Sequence, residues 1–172
     1  AEESETIAAS VSESEEVFFV PAFAGLGAPY WDMYAKGGIF GLTRDTTSEH
    51  IAKAALESMA FQSRDLIQSM EKDSGQALER LMVDGGASAN NYLMQFQADV
   101  VETVVDRPLV IESTALGAAF LAGLGCGFWS YEALAHVRES AQIFEPSMAD
   151  DKKKRICKMW SKAVERSINW SE

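Results

Sequence analysis

The chain has 172 residues, of which 47% are hydrophobic and 24% charged. That is the composition of a globular domain large enough to bury roughly 70% of its unfolded surface. A formal net charge of −11 argues against a nucleic-acid surface, which needs a basic stripe, and means that backbone dipoles or a metal ion would have to hold any bound phosphate.

Residues 1–16 form an acidic leader with six glutamates and no basic residue, which is not the composition of a signal or transit peptide. Ile7 and Val11 stand one turn apart, so the leader reads as a short surface helix or a fraying tail. Residues 17–20 read as a buried strand, followed by a glycine- and proline-rich turn through Pro29, Tyr30 and Trp31. A second strand is predicted at 38–43. Its glycines weaken a strand but allow close backbone approach.

Thr46-Thr47-Ser48-Glu49 reads as a capping box that opens a long helix, with Ile51, Ala55 and Met59 on one face, Leu66 and Met70 extending the pattern, and Gly75 terminating it. A third buried strand follows at 81–83. The helix after Asn90 carries Leu93, Phe96, Val100 and Val101 on one stripe. Residues 107–111 read as a short edge strand, because Pro108 cannot donate to a ladder. Thr114 is expected to cap a helix at 115–124 that is apolar on every side and therefore buried, yet too short to span a bilayer. Ser147 is expected to cap a last helix with Ile156, Trp160, Val164 and Ile168 on its inner face. Within it, Lys152, Lys153, Lys154 and Arg155 read as a solvated face. The first two strands should pair antiparallel and the later ones, alternating with helices, should run parallel in a mixed sheet.

The segment from Arg80 to Asp99 carries the strongest functional signal. A strand, the Gly85-Gly86 turn and a helix start follow one another, an order that aims backbone N–H groups and the positive end of a helix dipole at whatever lies above the turn. The glycines remove the β-carbons that would hold a ligand off. Anionic ligands, above all nucleotide phosphates, suit such a turn; a tight strand-to-helix turn with no ligand is the alternative. Asn90 fits a helix cap and is compatible with ligand contact. Asp84 reads as a turn former or a metal ligand, and Tyr30 and Trp31 as residues that wedge their loop or line a cleft. Glu57 reads as buried and hydrogen-bonded; His50 and His136 read as surface or helix-terminal. Cys126 and Cys157 have neither metal-ligand nor redox-pair spacing and read as reduced structural thiols in a cytoplasmic protein. No catalytic carboxylate pair and no Ser/His/Asp arrangement can be assembled.

Three segments resemble the carboxy-terminal domain of the FGGY carbohydrate kinases: Phe23-Ala24-Gly25-Leu26-Gly27-Ala28-Pro29-Tyr30-Trp31-Asp32; Gly37 through Glu57, with Gly41-Leu42, His50-Ile51 and Ala54-Ala55-Leu56-Glu57; and Val83-Asp84-Gly85-Gly86-Ala87-Ser88-Ala89-Asn90-Asn91, continued by Leu93-Met94-Gln95-Phe96-Gln97-Ala98-Asp99. Thr114-Ala115-Leu116-Gly117-Ala118-Ala119 and Gly127-Phe128-Trp129 are similar to the family as well. The Leu-Met-Gln-Phe-Gln run points to members that act on glycerol. The resemblance implies an α/β, ribonuclease-H-like (actin-like ATPase) fold with a mixed sheet flanked by helices. On it, residues 17–172 would be the nucleotide-binding domain and residues 1–16 a remnant of the inter-domain connection.

The resemblance further implies a missing amino-terminal domain that carries the phosphate loop, the catalytic aspartate and the glycerol-holding residues. The whole protein would transfer the γ-phosphoryl of ATP to glycerol, giving glycerol 3-phosphate and ADP with Mg²⁺. Gly85 would shape the turn, Gly86 with Ala87 beside it would admit the adenosine or α-phosphate, and Asn90 would add a side-chain hydrogen bond. This chain would supply no catalytic or metal-binding residue and be inactive alone. It would self-associate through uncovered surface, and the parent would be a cytoplasmic homo-oligomer with no membrane span. Another FGGY sugar kinase, or a non-enzymatic actin-like nucleotide-binding module, are the alternatives.

Overall fold

The β-branched and aromatic run before Pro21 forms β1 (Phe18–Val20), which pairs antiparallel with β2 (Gly38–Phe40) in the register Phe18 to Phe40 and Val20 to Gly38. The computed structural model describes residues 3–11, 16–134 and 139–171, so His136 and part of the leader lie outside the described residues. Within the leader, α1 (Ser4–Ser10) buries Ala8 and packs on α2 and α3.

The long helix α2 (Ser48–Ser74) begins one residue later than the expected box. The Thr47 backbone N–H donates to His50 Nδ1 at 3.1 Å, so Thr47 and His50 are the capping pair in place of Thr46 and Glu49. Gly75 ends the helix as predicted, at φ 69°, donating its N–H to the Glu71 carbonyl at 2.8 Å. A second sheet follows. β3 (Arg80–Met82) leads through a 3-10 turn (Gly86–Ala89) into α3 (Asn91–Val101) and then β4 (Val104–Pro108). Next come α4 (Ser113–Gly125), the single-turn α5 (Tyr131–Leu134), β5 (Ser140–Phe144) and α6 (Asp150–Ser167). The sheet is mixed: β4 runs parallel to β3 and antiparallel to β5.

Five expectations change. The third strand is not buried: Arg80 and Met82 are exposed and Leu81 half-buried. The later strands do not all run parallel, because β5 returns antiparallel to β4. The strand expected at the edge over 107–111 is β4, which lies between β3 and β5. Pro108 falls at its end, where the register with β5 slips, a place that tolerates a missing N–H. α4 is not buried: Gly123 is its one buried residue, and Leu121 is 70% exposed. Apolarity on every side states that a helix needs cover, not which segment supplies it, and no described element does. Neither expected cap acts as one. Thr114 lies inside the first turn of α4, whose N-cap is Glu112, and Ser147 precedes α6 and gives its N–H to Asp99 Oδ1 at 2.6 Å.

Four elements meet at Phe61 of α2. Its ring stacks on Trp160 of α6 at 5.0 Å, meets Phe96 of α3 edge-on at 5.3 Å and leans on Phe18 of β1 at 6.0 Å. Burying each such ring contributes about 1.5–3 kcal/mol. Asp65, one turn along α2, satisfies the polar edge of this cluster: Oδ2 accepts from Trp160 Nε1 at 2.6 Å and from the Tyr30 hydroxyl at 2.7 Å. Among the described residues no helix is long and apolar enough to cross a membrane.

Candidate functional site

The chain leaves β3 through Val83 and Asp84 and turns at Gly85. Val83 N–H extends the pairing to the Asp106 carbonyl at 3.1 Å, and Gly85 N–H reaches the Ile111 carbonyl at 2.7 Å. Gly85 lies at φ 79°, ψ 171°, a conformation open essentially to glycine alone. Gly86 differs. Its φ lies outside the left-handed region, and a β-carbon added there would meet nothing within 4 Å. The fold therefore needs a glycine at 85 and has no steric use for one at 86.

Beyond it the 3-10 turn is held from within: the buried Ser88 donates its hydroxyl to the Gly85 carbonyl at 2.7 Å. Gly86 and Ala87 are exposed, and among the described residues their backbone N–H groups donate to nothing. Asn90 caps α3, with Oδ1 accepting from Leu93 N–H at 2.9 Å, while Nδ2 donates to Ser4 Oγ at 3.2 Å. A carboxamide nitrogen has two hydrogens, so one stays available. The four residues singled out in the sequence, Gly85, Gly86, Ala87 and Asn90, thus share one surface turn with two open backbone donors at its crest.

The end of α3 itself is not open. Asn91 donates its N–H to Glu5 Oε2 and its Nδ2 to Glu5 Oε1, both at 3.0 Å, so a carboxylate from α1 already occupies the positive helix end that the sequence aims at a ligand. Among the described residues of this turn, the open backbone donors are those of Gly86 and Ala87. The sequence reading also missed Arg107, which reads there only as a strand residue. Its Nη1 donates to the Ser88 and Ala89 carbonyls at 2.9 and 3.1 Å.

Two cavities flank the turn without including it. One, of about 600 Å³, opens between the carboxyl ends of β3 and β4 and helix α4, lined by Met82, Asp84, Leu109, Leu116, Gly117 and Phe120 among others. Crevices at the carboxyl ends of strands are where α/β sheets place ligands. Asp84, at its rim, is bonded by the Ser113 hydroxyl, which ties β3 to the start of α4. The other cavity, of about 270 Å³, lies under α1 and is lined by Lys53, Glu57, Tyr92, Lys152 and Arg155 among others. There the Tyr92 hydroxyl donates to Glu57 Oε1 at 2.5 Å. Burial pushes the Glu57 carboxyl above its usual range, against the opposing pull of Tyr92 and Lys53.

The remaining candidates have structural partners. Tyr30 wedges its loop onto Asp65, and its hydroxyl is pushed well above the usual phenol range, first by burial and then by that carboxylate. Trp31 departs from the wedge reading: its side chain is 80% exposed. The basic run is ion-paired: Lys153 to Glu102 and Asp150, Lys154 to Asp150 at 3.2 Å, Arg155 to Glu16 at 2.6 Å. Among the described residues no group of three or more His, Cys, Asp or Glu side chains could hold a metal ion.

Known proteins match the chain in sequence and fold. The profile of the FGGY family of carbohydrate kinases, C-terminal domain, matches residues 1–126. The chain is 56% identical over 170 residues to a glycerol kinase of Halorhodospira halophila, covering 99% of this chain and 34% of that protein. It is 55% identical over 173 residues to a glycerol kinase of Caldanaerobacter subterraneus, covering 100% of this chain and 35% of that protein. A crystal structure of Plasmodium falciparum glycerol kinase with ADP superposes with a TM-score of 0.84 at 38% identity, over 96% of this chain and 33% of that one. The chain spans about a third of the length of the curated relatives it matches.

Proposed function

Because the chain belongs to the FGGY family of carbohydrate kinases, as their C-terminal domain, we propose that it is the nucleotide-holding wall of an ATP-dependent glycerol kinase. The observation that carries this reading is identity of 56% and 55% to two glycerol kinases along essentially the whole chain. The geometry supports it: Gly86 and Ala87 present unspent N–H donors beside a position where the fold does not need a glycine. In this reading the two amides receive a nucleotide phosphate, and the spare Nδ2 hydrogen of Asn90 faces the adenosine.

The reaction attaches a glycerol hydroxyl oxygen to the γ-phosphorus while the bond from that phosphorus to the β–γ bridging oxygen breaks. ADP leaves, and the hydroxyl proton passes to a base outside this chain. Catalysis of such a transfer is mostly positioning and electrostatics, so both walls of a cleft are needed. Mg²⁺ is assigned to the nucleotide phosphates and to parts of the parent beyond this chain. The uncovered apolar face of α4, with Leu121 and the nearby Phe128 exposed, is assigned to contact with the rest of the parent. The parent is taken as a cytoplasmic homo-oligomer.

The test is ADP release by the full-length parent with ATP and either glycerol or a pentulose as acceptor. Glycerol-dependent release supports the proposal. Release with the pentulose alone reassigns the chain to a sugar kinase, and release with neither removes the kinase reading.

A further inference from the structure

We propose that Arg107 is a positioning residue for the nucleotide: with Asn91 and Glu5 it forms a brace that sets the shape of the Gly85–Asn90 turn. This inference rests on the nucleotide reading of that turn.

Arg107 stands on β4, directly behind the turn, with its guanidinium 5.3 Å from the centre of the Phe144 ring, which is buried. The fork is used on both tines. Nη1 bridges the carbonyls of Ser88 and Ala89, the last two residues of the 3-10 turn, at 2.9 and 3.1 Å. Nη2 donates to Asn91 Oδ1 at 2.9 Å and to Gln142 Oε1 at 2.5 Å. Among the described residues Arg107 has no carboxylate partner. An arginine that is rigidly held, yet spends its donors on two turn carbonyls and two amides and not on an ion pair, is placed for shape; only a planar fork reaches four acceptors together.

Asn91 passes the constraint onward. Its Oδ1 is held by Arg107, while its Nδ2 and backbone N–H hold the two oxygens of Glu5 on α1. The neighbouring Ser4 accepts from Asn90 Nδ2. The turn is therefore gripped from the sheet side by Arg107 and from the helix side by Ser4 and Glu5, and the same turn carries the open N–H groups of Gly86 and Ala87. Without the brace the turn keeps its glycine corner at Gly85 and its Ser88 bond but samples other arrangements of those two donors. A ligand then has to select the competent one.

The test uses the full-length parent. Arg107→Ala should weaken ADP binding and raise the KM for ATP about 10- to 100-fold, the range found when groups that orient ligating residues are removed. The glycerol KM and kcat should change less than twofold. Hydrogen exchange should quicken in residues 85–91 while the amides of α2 and α6 stay protected. Arg107→Lys keeps the charge and loses the fork, so it should not restore affinity; full restoration would overturn the proposal in favour of charge alone. If Arg107→Ala loses protection throughout the domain, Glu5→Ala takes over the test, and a several-fold weaker ADP affinity is expected. Unchanged ADP affinity in a folded Arg107→Ala variant, or in Glu5→Ala, overturns the brace. A wild-type parent that binds no ADP overturns the nucleotide reading itself, and with it the brace.

Discussion

Replacing Gly86 with valine separates ligand access from folding. A β-carbon at 86 meets nothing within 4 Å, and the backbone there is not left-handed. The substitution should therefore change domain stability by no more than about 0.5 kcal/mol, as at an ordinary surface site. On the proposed nucleotide reading, its branched side chain would stand where a phosphate approaches the Gly86 and Ala87 amides. Hydrogen bonds to a charged group are worth about 1.5–3 kcal/mol each. Losing both costs about 3–6 kcal/mol, and at 1.4 kcal/mol per tenfold that weakens ADP affinity about 10²- to 10⁴-fold. Gly85→Val is the control with the opposite signature. At φ 79° a branched residue is strained by about 1–3 kcal/mol, so the domain should lose stability. Isothermal titration of the full-length parent with ADP, paired with hydrogen exchange of α2 and α3, reads both effects. Unchanged ADP affinity in a folded Gly86→Val protein would refute the assignment.

Three other outcomes are expected. Asp65→Ala strips the buried Trp160 indole N–H, 1% exposed, of its acceptor and should destabilise the domain by about 1–3 kcal/mol in urea denaturation, with Asp65→Asn milder because it keeps an oxygen. Two carboxyls should carry opposite pH signatures. The Asp32 pKa is depressed below its ordinary 3.8, first by the Asn169 N–H and then by those of Tyr34 and Ala35, so its stabilisation is present at neutral pH and lost as pH falls below that value. The Glu57 pKa is raised above 4.5 by burial, so its ionisation erodes stability as pH climbs past that value toward the folded pKa. Asp32→Asn should flatten the acid limb of the stability profile, and Glu57→Gln should gain on the wild type as pH rises. Finally, the chain expressed alone should self-associate in sedimentation velocity, and Leu121→Glu on the exposed face of α4 should reduce that association.

Much of this architecture is legible in local sequence. Gly75 is legible as a helix end because few residues accept its φ, and Asn90 as a cap because a short amide next to an apolar stripe has few other uses. The glycine pair is legible as a turn, though not the difference between its two positions, because that depends on a φ at 85 and an open space at 86. The elements that escape are those defined by distant partners. β5 shows only Phe144 to the core and has no apolar run to announce it. α4 looks like a core helix because its composition does not say what covers it. Glu5 reads as one more acid in a leader, yet it occupies the end of a helix 86 residues away. Arg107 escapes for the same reason: its acceptors are turn carbonyls supplied by another loop, and no spacing rule links them.

The most direct measurement is a crystal structure of the full-length parent with bound ADP. The account predicts phosphate oxygens within hydrogen-bond distance of the Gly86 and Ala87 N–H groups, with the adenosine beside Asn90. A nucleotide seated elsewhere, with this turn bare, would contradict it.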